Sequence, residues 1–214
     1  MTILAVDTAL GACSVAILDG EHVLAHRFEA MERGHAEALA PMVEAAMADA
    51  GLAFAALDRL AVTTGPGTFT GQRVGLAFMR GLRVALNRPL TGVTTLAAMA
   101  AEAMAETGCT TAAALHDARK GEVYLQIVGQ DASDPDVLPF DAATREIEKL
   151  KGPFALAGTA APAASAAIPH ATLSSVRQPD ALWVARLAMS QAISDAAPKP
   201  LYLRPPDAKL SVPK

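Results

Sequence analysis

The feature that most restricts the fold is the order in which the hydrophobic pattern changes period along the first half of the chain. Ile3, Ala5 and Val6 open a strand that runs into the turn Asp7-Thr8-Ala9-Leu10-Gly11. Val15 to Leu18 form a second apolar run, Asp19-Gly20 is a hairpin dipeptide, and residues 22–28 return as a third strand. Leu39, Met42, Val43, Ala46, Met47 and Ala50 then recur at three- and four-residue steps, the spacing of a helix, and Gly51 stops it. Pro41 within that pattern predicts a kink or a later start. Leu57 to Thr63 reads as a strand, and residues 71–87 as a helix with Val74, Phe78, Leu82 and Leu86 as its apolar face. Leu90 to Val93 is a further strand and Leu96 to Ala105 a third helix. A three-stranded meander feeding alternating helices and strands predicts an α/β fold, a mixed sheet with helices on its faces.

The rest of the chain carries a weaker signal. Two strands, 111–116 and 122–128, flank Asp117-Ala118-Arg119-Lys120-Gly121. Residues 129–139 read as a loop, 144–150 as a helix, 154–157 as a buried strand, 158–169 as a short helix or loop and 180–192 as a helix. Five prolines between 198 and 214 keep that tail extended.

Composition excludes several function classes. With 52% apolar and 19% charged residues the chain is not intrinsically disordered. Aromatics at 4% leave little for a stacking platform, and a net charge of −4 gives no general pull toward phosphates. Cys13 and Cys109 are too few for a disulfide framework or a four-thiolate zinc site, and the simplest compartment is the reducing cytoplasm. Asp7 cuts the first apolar run short of a signal-peptide core, and Glu102 interrupts the longest apolar stretch, 91–105, so neither a leader nor a membrane span is expected.

Three segments are candidates for chemistry. Asp7 ends the first strand with Thr8 and Gly11 after it, which is either a polar hairpin turn or a turn wrapped around a metal-bound phosphate. Gly65, Pro66 and Gly67 make a sharp loop into the helix starting at Gly71, with Thr70 as the expected cap. Free N–H groups at such a start suit an anion, but the Gly-Lys-Ser/Thr ending of a P-loop is missing, and a tight connection without ligand fits as well. Asp117 and Arg119 either hold a ligand or pair with each other.

Elsewhere the reading is negative. His22 and His26 share a strand face without nearby carboxylates or thiols and make a poor metal site. Both cysteines read as packed thiols. Arg73, Arg80 and Arg83 read as a solvated helix face or a surface for an acidic partner. Gly71, Gly75 and Gly81, with Ala77 and Ala85, allow a neighbouring element to approach that helix closely.

Taken in order, several stretches resemble one family. They are Asp7-Thr8, Arg33-Gly34-His35, the run from Thr64 through Gly65, Pro66, Gly67, Thr68, Phe69, Thr70, Gly71, Gln72, Arg73 and Val74 to Gly75, the run from Asp117 to Tyr124, and Pro200-Leu201-Tyr202-Leu203-Arg204-Pro205-Pro206. They are similar to the TsaB family, bacterial partners of TsaD in making threonylcarbamoyladenosine on tRNA. The resemblance implies a ribonuclease H-like fold of the actin, Hsp70 and sugar-kinase type. Its first lobe is expected over residues 1–110, with the glycine loop and partner-binding helices, and a reduced second lobe over 111–214, with the tail packing back.

Further implications follow from the resemblance. TsaD binds metal through two histidines at i, i+4, and the matching places here are Thr95 and Met99. Neither residue makes a normal ligand pair. The implied role is a non-catalytic subunit that binds TsaD, with TsaE joining, for transfer to adenosine 37 of tRNAs reading ANN codons. The chain itself is expected to bind no cofactor, with ATP and Mg handled by the partner proteins and tRNA met only indirectly. Helices 35–50 and 71–87 are the expected TsaD contact, and a twofold homodimer is expected when TsaD is absent. Asp7, Thr8, His35, Gly65, Pro66, Gly67, Thr68, Thr70, Gly71, Arg73, Gly75 and Gly81 are then residues of the partner surface or of a vestigial nucleotide site. A small ATP-dependent phosphotransferase of the same superfamily is the alternative. A peptidase has no nucleophile–base pair to support it.

Overall fold

The computed structural model describes residues 1–204; the end of the extended tail, including Pro205 and Pro206, lies outside the described residues. The first sheet is built as the period changes require. β1 (Thr2–Asp7) pairs antiparallel with β2 (Ala12–Asp19), which pairs antiparallel with β3 (His22–Ala30). α1 (His35–Asp49) leads to β4 (Arg59–Gly65), which lies parallel to β1. α2 (Phe69–Leu86) leads to β5 (Leu90–Thr94), parallel to β4, giving the order β3-β2-β1-β4-β5. β1 and β2 are buried on both faces, which is why they read as continuous apolar runs.

α3 (Thr95–Thr107) joins this sheet to a second one. That sheet contains β6 (Ala112–Arg119), β7 (Glu122–Val128), β8 (Asp136–Pro139), β9 (Ala155–Ala157) and β10 (Thr172–Leu173), in the order β10-β9-β6-β7-β8. α4 (Phe140–Ile147) and α5 (Ala161–Ala167) cover it, burying Phe154, Leu156, Ile147 and Leu115. α6 (Ala181–Ser190) returns to the first sheet, where Val184, Ala185 and Ala188 pack on Ile3, Ala5 and Leu18. α1 and α2 cover the opposite face, against Leu4, Val6, Val15 and Leu60. No described helix is long and apolar enough to cross a membrane.

Several local expectations are corrected. Thr68, not Thr70, caps α2: its backbone is extended and its Oγ1 accepts the Gly71 N–H at 3.1 Å, so the helix starts two residues before the expected Gly71. The buried face of α2 is Gly71, Gln72, Gly75, Leu76 and Met79, whereas Val74, Phe78, Leu82 and Leu86 are only partly covered. α1 runs through Pro41, which lies on its exposed side, and the helix begins at His35. Residues 129–139 are not all loop, because Asp136–Pro139 pairs with β7. The fourth helix is Phe140–Ile147 rather than 144–150; it follows Pro139, whose backbone is extended, and Leu150 closes a turn on Ile147 O.

His22 and His26 do not share a face. A bulge sets Ala25 opposite Ile17 and Val23 opposite Leu18, and the extra residue reverses the alternation between the two histidines. Nor does His26 lack a carboxylate: its Nε2 sits 2.8 and 2.9 Å from the two oxygens of Asp180, the N-cap of α6.

Candidate functional site

The turn after β1 and the loop before α2 form one knot. Asp7 is fully buried, and its Oδ1 accepts the Thr63 hydroxyl at 2.6 Å and the Ala9 N–H at 3.2 Å. Its Oδ2 has no partner. Burial pushes this carboxyl up to about 7 against the pull of the Thr63 and Ala9 hydrogen bonds. Thr8 Oγ1 donates to Gly71 O at 2.7 Å and accepts the Gly75 N–H at 3.0 Å. Ala9 O accepts the Thr68 N–H at 2.8 Å, and Leu10 O accepts from His35 Nε2 at 2.9 Å. The Gly11 N–H donates to Gln178 Oε1 at 2.8 Å.

The glycines of the loop are close-approach residues. A Cβ on Gly67 would lie 2.3 Å from Ala9 O, and one on Gly71 2.2 Å from Thr8 O. A Cβ on Gly75 would lie 2.8 Å from Thr8 Oγ1. These three positions therefore hold α2 against the β1–β2 turn inside the chain. Gly81 differs, with nothing within 4 Å of its place for a Cβ.

This arrangement uses up part of what an anion site would offer. The Thr68, Gly71 and Gly75 N–H groups all donate within the chain. Asp7 has no exposed oxygen to present to a cation and is held toward its neutral form. The turn as arranged does not fit a magnesium-bound phosphate. Among the described residues no group of three or more His, Cys, Asp or Glu could hold a metal. His116 is buried, and desolvation lowers its pKa to about 4, so it is a neutral core side chain.

Thr70 and Arg73 lie outside the knot, on the exposed start of α2, while Pro66 is buried beside it. Arg73 Nε donates to Tyr202 Oη at 2.7 Å, and its guanidinium carbon lies 3.5 Å above the centre of the Phe69 ring. Phe69 stacks on Tyr202 at 5.6 Å. The arginine row is thus not a solvated face. Arg80 donates to Pro198 O and Arg83 to Asp195 O, the latter at 2.6 Å. Asp117 and Arg119 meet through the Arg119 backbone N–H, which donates to Asp117 Oδ1 at 2.8 Å in a turn where Arg119 has φ 66°. Both line a cleft of about 230 Å³ between the two sheets, opposite Gly67, Phe69 and Gln72 and walled by Leu201 to Arg204.

The sequence alone did not single out Thr63 or Gln178, nor the contact of Tyr202 with Arg73. Tyr202 was within reach, because the tail motif and Arg73 were both singled out. Gln178 stands 167 residues from its partner and left no local signal.

The comparisons decide the family. The TsaB protein of Escherichia coli, a tRNA threonylcarbamoyladenosine biosynthesis protein, is 36% identical over 74% of this chain and 71% of its own length. The chain belongs to the TsaB family. An uncharacterized protein of Mycobacterium tuberculosis is 38% identical over 97% of this chain and 94% of its own. The solved structure of YeaZ from Pseudomonas aeruginosa matches with a TM-score of 0.77 and 32% identity, over 94% of this chain and 99% of that one. The family model of TsaD, tRNA N6-adenosine threonylcarbamoyltransferase, matches residues 22–173. The actin-type fold is shared more widely. Component A of (R)-2-hydroxyglutaryl-CoA dehydratase from Acidaminococcus fermentans has a TM-score of 0.53 at 12% identity, over 88% of this chain and 97% of that one. Within the TsaB family's setting, tRNA threonylcarbamoyladenosine biosynthesis, the places expected for a TsaD-type histidine pair hold Thr95 and Met99, both fully buried on α3.

Proposed function

We propose that this chain is a non-catalytic partner of TsaD, required for threonylcarbamoyl transfer to adenosine 37 of tRNAs reading ANN codons and joined in that assembly by TsaE. The observation that carries the reading is the start of α3. Thr95 and Met99 are both sealed from solvent there, and neither is a ligand for a hard or borderline metal. The phosphotransferase alternative needs a carboxylate able to meet a metal-bound phosphate and free N–H groups in the two turns, whereas Asp7 is fully buried and the Ala9, Gly11, Thr68, Gly71 and Gly75 N–H groups are engaged within the chain. ATP, magnesium and the tRNA are then held by the partner proteins, in the cytoplasm.

The contact with TsaD is formed by α1 and α2. These helices are neighbours, and their outer sides carry half-buried Met42, Val74, Phe78 and Leu82. Beside them Val84 is 81% exposed, and Gly81 and Ala85 are open. An apolar strip with small residues at its centre suits close helix packing, and a second copy of the chain takes TsaD's place when TsaD is absent. Co-purification with TsaD tests this. Gly81→Arg adds its side chain where nothing lies within 4 Å, so the variant keeps its fold and loses association. A folded Gly81→Arg chain that binds TsaD as well as wild type would place the contact elsewhere. Loss of the wild-type homodimer in the same variant is expected, read from mass by light scattering.

A further inference from the structure

Residues 191–204 leave α6 and cross the molecule without a helix or strand of their own. Their attachments run in one line. Arg83 holds Asp195 O, Arg80 holds Pro198 O, the Leu201 N–H donates to Thr64 O at 2.7 Å, and Arg73 holds Tyr202 Oη. Pro198 passes directly over Gly92 of β5, where a Cβ would lie 2.7 Å from Pro198 Cβ. The chain then reaches the other sheet, where Arg204 donates to Ala118 O and pairs with Glu122 at 3.4 Å. One segment is therefore fastened to α2, β4 and the β6–β7 hairpin in turn. The last four of its residues form a wall of the cleft between the sheets.

The way it is held differs from every helix around it. None of residues 191–204 is buried, and Ile193 is 60% exposed. The attachments are hydrogen bonds at or near the surface, three of them from arginines of α2. Segments with few buried apolar contacts and accessible hydrogen bonds open locally at far lower cost than core strands. The core strands here are at the other extreme, since β1 and β4 are almost wholly buried. Releasing the segment removes one wall of the cleft and leaves both sheets with their own cores.

We infer that residues 191–204 are a strap that gates the cleft between the two sheets, opening and closing by local release of the Arg73, Arg80 and Arg83 attachments and, with them, of the Leu201 and Arg204 contacts, while both lobes stay folded. The strap's arginine anchors are spaced along one side of α2, so a single loosened anchor leaves the others to reseat it. Opening widens access to the Phe69 ring and the Arg119 turn, which are already exposed, and to the buried Gln72 carboxamide, whose Oε1 has no partner. This gating stands apart from the role proposed above and does not depend on TsaD.

Hydrogen exchange of the full-length chain, followed by mass spectrometry, tests the inference. In the wild type, peptides covering 192–204 exchange roughly 100-fold or more faster than peptides of β1 and β4. In Arg80→Ala/Arg83→Ala, strap exchange rises by roughly tenfold or more. Peptides covering Gly65–Thr68 and Arg119–Gly121 rise with it, while β1 and β4 keep their wild-type rates. Strap and sheet exchanging together in the wild type would overturn the inference. So would a rise in the variant that includes β1 and β4, or a loosened strap that leaves the cleft peptides unchanged. Arg80→Lys/Arg83→Lys provides the conservative comparison, retaining charge and the helix with weaker hold on the two carbonyls. Its strap exchange falls between wild type and the alanine variant, and a rise in its β1 and β4 exchange would also count against the strap reading.

Discussion

Gly71→Ala is a sharp test of how the glycine loop is built. On an open helix surface a glycine-to-alanine change stabilises by about 1 kcal/mol. At residue 71 the new methyl would sit 2.2 Å from Thr8 O and 2.6 Å from Thr68 Oγ1. The first is a backbone atom of the buried β1–β2 turn, which no rotamer change can move. Relief requires α2 to shift outward, and that breaks the Thr8–Gly71 hydrogen bond and the Thr68 cap. A lost cap costs about 1 kcal/mol, a lost hydrogen bond about 1, and overpacking about 1–3. Set against the propensity gain, Gly71→Ala loses roughly 2–4 kcal/mol. For a chain of this length the melting temperature falls by roughly 5–15 °C. Gly81→Ala is the internal control, the same change on the same helix with nothing within 4 Å, and it gains about 1 kcal/mol. Urea unfolding followed by far-ultraviolet circular dichroism measures both. Equal effects of the two substitutions, or a loss at Gly71 under about 0.5 kcal/mol, would refute the close-packed knot.

Three further outcomes follow from the same structure. Asp7 titrates near 7 in the fold and near 3.8 when unfolded, so the native state holds the extra proton between those values. Stability therefore falls as pH rises from about 4 to 7 and levels off above; Asp7→Asn makes that slope shallower, the rest coming from Glu102, which burial also pushes up to about 7, and a slope unchanged in the variant would contradict the burial of Asp7. The His26 imidazole is raised, first by its hydrogen bond to Asp180, so the pair stabilises fully below pH 6.5 and the benefit is lost as pH rises through the folded value. At 33% exposure for His26 the benefit is at most about 1 kcal/mol, and the gap between wild type and His26→Ala should narrow between pH 6 and 8 in urea unfolding. Cys13 is buried and its thiol is pushed up to about 12, so maleimide at pH 7.5 labels half-buried Cys109 first; mass mapping that finds Cys13 modified first would overturn that ordering.

The first sheet was legible because its signals are local. Alternation, the Asp19-Gly20 turn and the helical steps from Leu39 to Ala50 each lie within a few residues. β8 escaped because the turn residues Asp131, Ser133 and Asp134 run straight into it and Asp136 opens it, and β10 because its two residues are exposed. The side of α2 that is buried escaped for a different reason. Gly71 and Gly75 bury backbone rather than side chain, so hydrophobicity pointed to Val74 and Phe78 instead. The arginine row escaped because its partners are two carbonyls and a tyrosine hydroxyl of a tail 112 to 129 residues further on. The local contacts of the candidate residues were not foreseeable, since Thr8 bonds Gly71 and Gly75 across 63 and 67 residues and Gly67 lies against Ala9 O.

The most direct test of the proposed role is threonylcarbamoyl transfer in a reconstituted system. The assay combines TsaD, TsaE, the adenylate-forming enzyme, ATP and an ANN-reading tRNA, with and without this chain, and counts modified adenosine by mass spectrometry. The account predicts no transfer by this chain in the absence of TsaD, and transfer by the other components that depends on its addition. Modification by this chain without TsaD, or full activity when it is left out, would contradict it.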